Sequence, residues 1–392
     1  MSNGFDIKLV KDSLARLEEY IVKERYKGYD PFDILMSPLY KLPVLKSSKK
    51  IRFLSEQIFR RLPINLRPLL FVKKGLNPVT LGLCIQAYCN LIQLLPDKES
   101  IYKTEVDFCI SALEKLSSSG YSGYCWGYDF DWEARYATMQ AYTPTVVATG
   151  FITNALFKYY SLTNDEKTFK LLGSSVKFVI KDLNKSYEDE SFCYSYSPID
   201  HQKVLNATMK GARLLMQVYS LTNEESLHEE AEKTIEYVVK HQKQNGAWSY
   251  SVGDAREWVD NFHTGYILDC LDEYINLSGD NEYEKNLKLG VGYYVENFFT
   301  ENGTPKYFDN SIYPIDSTAA AQSIITLLRF SYLEKAWQVA EWMIQNMQSN
   351  EGYFYFQKHK LYTNRINYMR WSNAWMFLTL SQLLYTIENN QQ

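Results

Sequence analysis

The chain has 392 residues, 46% of them hydrophobic and 15% aromatic, with 32 Tyr, 20 Phe and 8 Trp, and a formal net charge of −4. That composition supports a large buried core, and the acidic balance argues against nucleic acid as a partner, since phosphate meets no general attraction. No apolar run approaches the length that spans a bilayer, and the start MSNGFDIKLVKDSLARLEEY reads as an amphipathic helix rather than a signal peptide, so cytoplasm is the expected compartment.

In chain order, a first amphipathic helix is expected at about 6–26. Residues 28–75 are irregular, because prolines in YDPFD, SPLYKLP and RLPINLRP interrupt any helix. This segment is expected to wrap the molecule or cover a cleft. It also gathers Lys49, Lys50, Arg52, Arg60, Arg61, Arg67, Lys73 and Lys74, so the basic 49–74 region is either a solvated face or a contact for an acidic partner or membrane surface.

From residue 76 onward two kinds of helix alternate. Segments 99–117, 164–184, 223–244, 280–298 and 332–348 carry an apolar stripe opposite Glu and Lys, as in EESLHEEAEKTIEYVVKHQKQ. Segments 77–94, 143–160, 203–220, 262–276, 316–330 and 370–387 are apolar or small nearly all round and must be buried on most sides. Inner starts recur roughly every 55–65 residues, the signature of a repeat. Each outer helix leads into a Gly- and aromatic-rich loop (GYSGYCWGYDFDW, ESFCYSYSP, NGAWSYSVG, NGTPKYF, NEGYFYF) that reads as a short β-hairpin or extended turn.

Six such hairpins closing on themselves give an all-α fold, an (α/α)6 toroid with short aromatic β-hairpin loops at one face. Residues 1–75 form the N-terminal helix and wrapping segment. Residues 76–392 form one continuous toroid domain, its ring closed by the N-terminal helix.

Alternating helices with turns such as NGAW and starts such as DSTAAAQ resemble the six-hairpin toroid enzymes: unsaturated glucuronyl hydrolases, N-acylglucosamine 2-epimerases and the toroid domains of uronate polysaccharide lyases. The resemblance is architectural and covers roughly residues 76–390. It implies a carbohydrate-active enzyme with a saccharide substrate, possession of the fold alone being compatible with other functions. Squalene cyclases and prenyltransferases share related repeats, but the DxDD motif of the former is incomplete here, and no Asp, Cys and His set for zinc can be assembled.

Candidate site residues fall at the inner-helix starts, whose free N–H groups favour carboxylates and oxyanions. CWGYDFDWEAR, before the second inner helix, supplies Trp126, Asp129, Asp131, Trp132 and Arg135, with Thr143 close behind. Here two tryptophans offer stacking faces, and an arginine can grip a carboxylate. The third start has Asp200, His201 and Asn206; the fourth, in EWVDNFHTGY, has Trp258, Asp260, Asn261, His263 and Tyr266. Asp316 opens the fifth, and Arg370, Trp371 and Asn373 open the sixth. Each aspartate also suits a plain N-cap.

Glycoside hydrolysis would draw on Asp131, Asp200, Asp260 and Asp316 as candidates for acid and second carboxylate. Elimination or epimerisation would instead use His201 or His263 for proton transfer, with Arg or Asn neutralising an acid group. The resemblance to unsaturated glucuronyl hydrolases at VDNFHTGYILDCL makes Asp260 the general acid, whereas the 2-epimerase comparison makes His201 and His263 an acid–base pair. No P-loop, GxGxxG, GxSxG or CxxC occurs, so neither cofactor nor metal is expected. A uronate-containing saccharide is the expected substrate. The alternative is a non-catalytic saccharide-binding or assembly protein, distinguished by tolerating loss of each carboxylate singly.

Overall fold

The computed structural model describes residues 5–134 and 137–389. Fourteen α-helices appear among them: α1 (Ile7–Lys23), α2 (Pro43–Ser47), α3 (Lys49–Arg61), α4 (Pro78–Leu94), α5 (Glu99–Lys115), α6 (Val146–Thr163), α7 (Glu166–Asp182), α8 (Leu205–Thr222), α9 (Glu225–Lys240), α10 (Asn261–Ser278), α11 (Glu284–Asn297), α12 (Ser317–Arg329), α13 (Leu333–Met347) and α14 (Trp375–Asn389). The inner helices are α4, α6, α8, α10, α12 and α14. Each packs on the next, and α14 packs back on α4, which closes the ring. The remaining long helices α5, α7, α9, α11 and α13 clad the outside, and α1 lies against α13 and α14 over the seam. The chain is therefore an (α/α)6 toroid.

The sequence explains the sorting. Nearly all of α4 is buried, from Pro78 through Ile92, because PVTLGLCIQAYCNLI offers no polar face. By contrast α9 buries Leu227, Ala231, Thr234, Ile235, Tyr237 and Val238, an i, i+4, i+7 stripe, and turns its glutamates outward. Helix ends repeat too. Tyr-Ser-Leu-Thr-Asn closes both α6 and α8, where Asn164 and Asn223 take left-handed φ values of 55° and 54° and donate their N–H groups to Tyr160 and Tyr219 carbonyls.

The aromatic loops anchor more than they pair. Lys185–Glu188 and Ser191–Tyr194 form a four-residue antiparallel hairpin, and Trp132–Glu133 pairs with Thr138–Met139. The turn after α9 holds an isolated bridge, whereas the segments after α11 and α13 add to such bridges a small three-stranded antiparallel sheet of Ile315–Asp316, Gln357–Lys358 and Thr363–Asn364. In the first of these, Gly246 sits at φ 94°, and a Cβ there would lie 2.5 Å from the Leu289 carbonyl oxygen. Trp248 then inserts fully into the core and donates its indole N–H to Val238 O at the end of α9, 2.9 Å away. Trp126 does the same for α5 through Leu113 O at 2.7 Å, also with no exposure. Residues 369–374 form a π-helical turn before α14, where an ordinary helix start was expected.

Along the barrel axis Phe151, Tyr266 and Trp375 divide two cavities, one at each end of the inner helices. The cavity at their C-terminal ends, about 430 Å³, is bordered by Lys158, Lys210, Arg213, Asp269, Glu273 and Arg329. Lys210 is buried, its Nζ 3.7 Å from the Phe151 ring centre and 3.8 Å from that of Tyr266. Burial first, then the neighbouring Arg213, push its pKa down from 10.5 to about 7. Between those values the unfolded chain binds a proton that the folded chain has released, so this group makes stability rise with pH across that window. Below about pH 7 both states are protonated, and the cost of burying the charge is carried in full. Lys210→Met is therefore expected to raise Tm at pH 6 by several degrees and to change it little near pH 10, as read by thermal unfolding at both values. A loss of stability at pH 6 would contradict this account of Lys210.

Candidate active site

At the opposite end, the N-termini of the inner helices surround a cleft of about 530 Å³, within the range of about 300–1,000 Å³ usual for small-ligand sites. Its wall is aromatic: Tyr128, Trp132, Tyr196, Tyr250, Trp258, Phe262, Tyr307 and Trp371 line it, over a floor of Phe151, Tyr266 and Trp375. Tyr266 stacks on Trp375 with centroids 5.8 Å apart, and Phe151 meets both rings edge-on. Trp258, 39% exposed, stacks on Tyr250 at 5.0 Å and presents a free face at the mouth.

Asp260 and His263 come together at the first turn of α10. Asp260 Oδ1 accepts the His263 backbone N–H at 3.0 Å, an N-cap. Its Oδ2 lies 2.6 Å from His263 Nδ1 and accepts the Trp258 indole N–H at 3.1 Å. The carboxylate is 2% exposed, and both of its oxygens are engaged. A neutral His263 with its proton on Nδ1 leaves Nε2 as an acceptor. The ring also meets Tyr250 edge-on, with centroids 4.6 Å apart.

Tyr196, Tyr250, Tyr266 and Tyr307 have hydroxyl pKa values pushed above the ordinary 10, chiefly by burial. They remain neutral hydrogen-bond donors near neutral pH. Asn206, 2% exposed, lines the same cleft, and its buried Oδ1 has no hydrogen-bond partner among the described residues.

The segment before the toroid supplies a further wall. Phe32, Phe53, Gln57, Arg60 and Arg61 all line the cleft, the last four from α3. Arg60 donates to Gln57 Oε1 at 3.1 Å and lies over the Phe32 ring, and Arg61 donates to Gln57 O and Oε1. Among the described residues neither guanidinium is within ion-pair distance of a carboxylate. Burial, then the charge of Arg61, lower the pKa of Arg60, a sign of a cation held without sufficient counter-charge.

Of the residues singled out from the sequence, the structure brings Trp132, Asn206, Trp258, Asp260, His263, Tyr266, Arg370 and Trp371 to the cleft. Asp316 stands just behind it as the N-cap of α12, with Oδ2 accepting from Gln357 at 2.8 Å and from Trp371 at 3.1 Å. Burial raises its pKa to about 6.

The others lie elsewhere. Trp126 is the core anchor described above. Asp131 is exposed and accepts the Ala141 N–H at 2.7 Å, and Asp129 faces a neighbouring cavity, held by Asn77 at 2.7 Å. Asp200 closes a turn, accepting from Tyr196 N, Gln202 N and the Ser197 hydroxyl, while His201 is exposed outside the cleft. His201 and His263 therefore do not line the same cleft. Thr143 lies on a surface groove, Thr145 taking the cap of α6. Asn261 bonds the Lys306 carbonyl, the Tyr294 hydroxyl and Ser323, and Asn373 bonds Phe354 N and Tyr368 O, so both serve packing. Arg135 lies outside the described residues. Arg370 spends its charge on a two-point ion pair with Asp30, at 2.6 and 2.9 Å.

Among the described residues no group of three or more His, Cys, Asp or Glu side chains is arranged to hold a metal ion.

No protein-family model matches the chain, and no curated protein is matched. Solved structures do match. A cellobiose 2-epimerase from Bacillus thermoamylovorans superposes with a TM-score of 0.62 at 11% identity, covering 82% of this chain and 90% of that one. A GH76 alpha-mannanase from Bacteroides thetaiotaomicron gives 0.63 at 12%, covering 80% and 87%. A possible member of the GH105 family from Salmonella enterica serovar Paratyphi A gives 0.63 at 11%, covering 100% and 97%. At such identities the likeness shows a shared fold, the same six-hairpin toroid.

The cap and the imidazole contact on Asp260 are separable. Asn is as good an N-cap as Asp, so Asp260→Asn is expected to keep stability within about 1 kcal/mol of the wild type while loosening the imidazole. Nitrogen-15 NMR of His263 checks this. The Nδ1–H tautomer should dominate the neutral ring in the wild type and give way to a mixture in the variant; an unchanged tautomer would show that Asp260 does not set it.

Proposed function

We propose that the protein is a carbohydrate-active enzyme acting on an anionic saccharide, with His263 as the group that moves a proton and Asp260 as its positioning residue. The carrying observation is the Asp260–His263 contact of 2.6 Å on the wall of an aromatic cleft. Flat rings suit the apolar faces of sugars, and their hydroxyl and indole edges suit sugar hydroxyls. The neighbouring epimerase and glycoside hydrolases by name act in carbohydrate chemistry, which supports the substrate class.

Hydrolysis by two carboxylates is the less supported chemistry. The carboxylates lining the cleft are Asp260 and Glu133. Glu133 is 3% exposed and held by Arg52 at 2.6 Å and Thr138 at 2.8 Å, so both acids are engaged where one should be free to protonate a leaving group. Proton removal next to a carboxyl or carbonyl group, leading to elimination or epimerisation, needs one base and a stabilised oxyanion. His263 Nε2 serves as the base, and Arg60 with the neutral Tyr196, Tyr250 and Tyr266 hydroxyls would stabilise the negative charge.

The anionic preference rests on Arg60 and Arg61, whose guanidinium groups have room for a carboxylate. Calorimetric titration with uronate-containing and matched neutral oligosaccharides tests it. The wild type is expected to prefer the uronates, and Arg60→Gln to weaken that binding about tenfold or more while leaving neutral sugars nearly unaffected. Equal affinity for both classes would refute the anionic reading, and retained turnover in His263→Gln would refute the catalytic one.

A further inference from the structure

Residues 36–74 contain ten Lys or Arg and a single acidic residue, Glu56, in a chain whose net charge is −4. Glu56 is buried, 1% exposed, and offers no negative charge at the surface. The same 39 residues hold ten of the 24 exposed large hydrophobic side chains among the described residues. Val44 is 72% exposed, Leu54 59%, Ile58 48%, Leu69 73% and Phe71 73%. Scattered exposed apolar residues are ordinary, but this concentration in a tenth of the chain is not.

These side chains share a surface. On α3, Ile51, Leu54 and Ile58 follow i, i+3, i+7 spacing and stand on one exposed face, while Phe53, Gln57 and Arg60 turn to the cleft. Helix α2, which carries Val44, packs on α3, and Arg52 donates to the Lys46 carbonyl across that junction. Met36, Lys41, Phe71, Lys73 and Lys74 border one cavity of about 400 Å³, which brings the two ends of the segment together. Arg67, paired with Asp33, pins the 67–72 turn beneath. Arg52 and Arg67 are thus paired internally, whereas Lys46, Lys49, Lys50 and Lys73 are exposed beside the aliphatic groups.

We propose that this face docks the protein on an anionic lipid surface. Exposed lysines around protruding aliphatic and aromatic side chains match a negatively charged headgroup layer above an apolar interior. No helix of the described residues is long and apolar enough to cross a membrane, so attachment would be peripheral. The geometry is independent of the saccharide reading. It also has a consequence for the site: α3 separates the docking face from the cleft, so docking holds the cleft about one helix diameter, roughly 10 Å, from the lipid.

Co-sedimentation of the full chain with sucrose-loaded vesicles tests the proposal. Binding is expected to phosphatidylcholine vesicles containing about 30% phosphatidylglycerol and not to pure phosphatidylcholine, and it should weaken at about 0.5 M salt. Lys46→Glu/Lys49→Glu/Lys50→Glu should lower the partition coefficient about 100-fold or more, and Val44→Asp/Leu54→Asp should lower it at least tenfold. Melting curves unchanged by either set keep the comparison to the folded protein, and two sets guard against one that fails to fold. No binding to the anionic vesicles, or binding that neither folded variant alters, overturns the proposal. So does concentration-dependent self-association, abolished by the same substitutions, in protein that ignores the vesicles, because the face would then join two copies of the chain.

Discussion

An inner helix with no polar face cannot stand at an edge. In α4, α6 and α8 burial runs almost without interruption from the first turn until the last, where the helix ends reach the surface, so each needs a neighbour on both flanks and a cladding helix behind. Only a closed ring satisfies that for all six. The join is made by α14 against α4, with α1 laid over it from the other end of the chain. Closure fixes the direction of every inner helix, and with it the gathering of six N-termini at one end. The cleft follows from this constraint.

Those N-termini have unpaired N–H groups that need acceptors, and the chain meets the need with several Asp, Asn and Thr caps. Capping and chemistry compete for the same carboxylates. Asp316 caps α12 and also holds Gln357 and Trp371, whereas Asp260 caps α10 through one oxygen and holds His263 through the other. The second arrangement couples helix geometry to imidazole orientation. The first acts on the cleft through Trp371, whose ring lines the wall.

The toroid was legible in the sequence because its cause is periodic: charged-stripe and all-apolar helices alternate, and six inner segments require closure. The VDNFHTGY segment was legible for a related reason, since one helical turn brings residues 260 and 263 together whatever the tertiary context. Legibility ended in the loops. Trp126 and Trp248 occupy equivalent anchoring positions, yet only a three-dimensional repeat shows that the indole of CWG belongs to the core. Asp200 and His201 precede α8 by a turn that points away, and linear spacing carries no sign of this. Arg60 and Arg61 were visible only as part of a basic run. Their place in the cleft depends on how α3 folds back over the barrel, a long-range contact. The uneven use of that run, with some cations inside and others on an exposed apolar face, was likewise unreadable without the fold.

The central claim is that His263 exchanges a proton with a carbon-bound hydrogen of an acidic sugar. Its most direct test is proton NMR of uronate oligosaccharides incubated with the protein in D₂O. The account predicts loss of the signal of the hydrogen next to the carboxyl or carbonyl carbon, through exchange or elimination, and its retention with folded His263→Ala. Retention with the wild-type protein across substrates it demonstrably binds, or equal loss with the variant, would contradict the account.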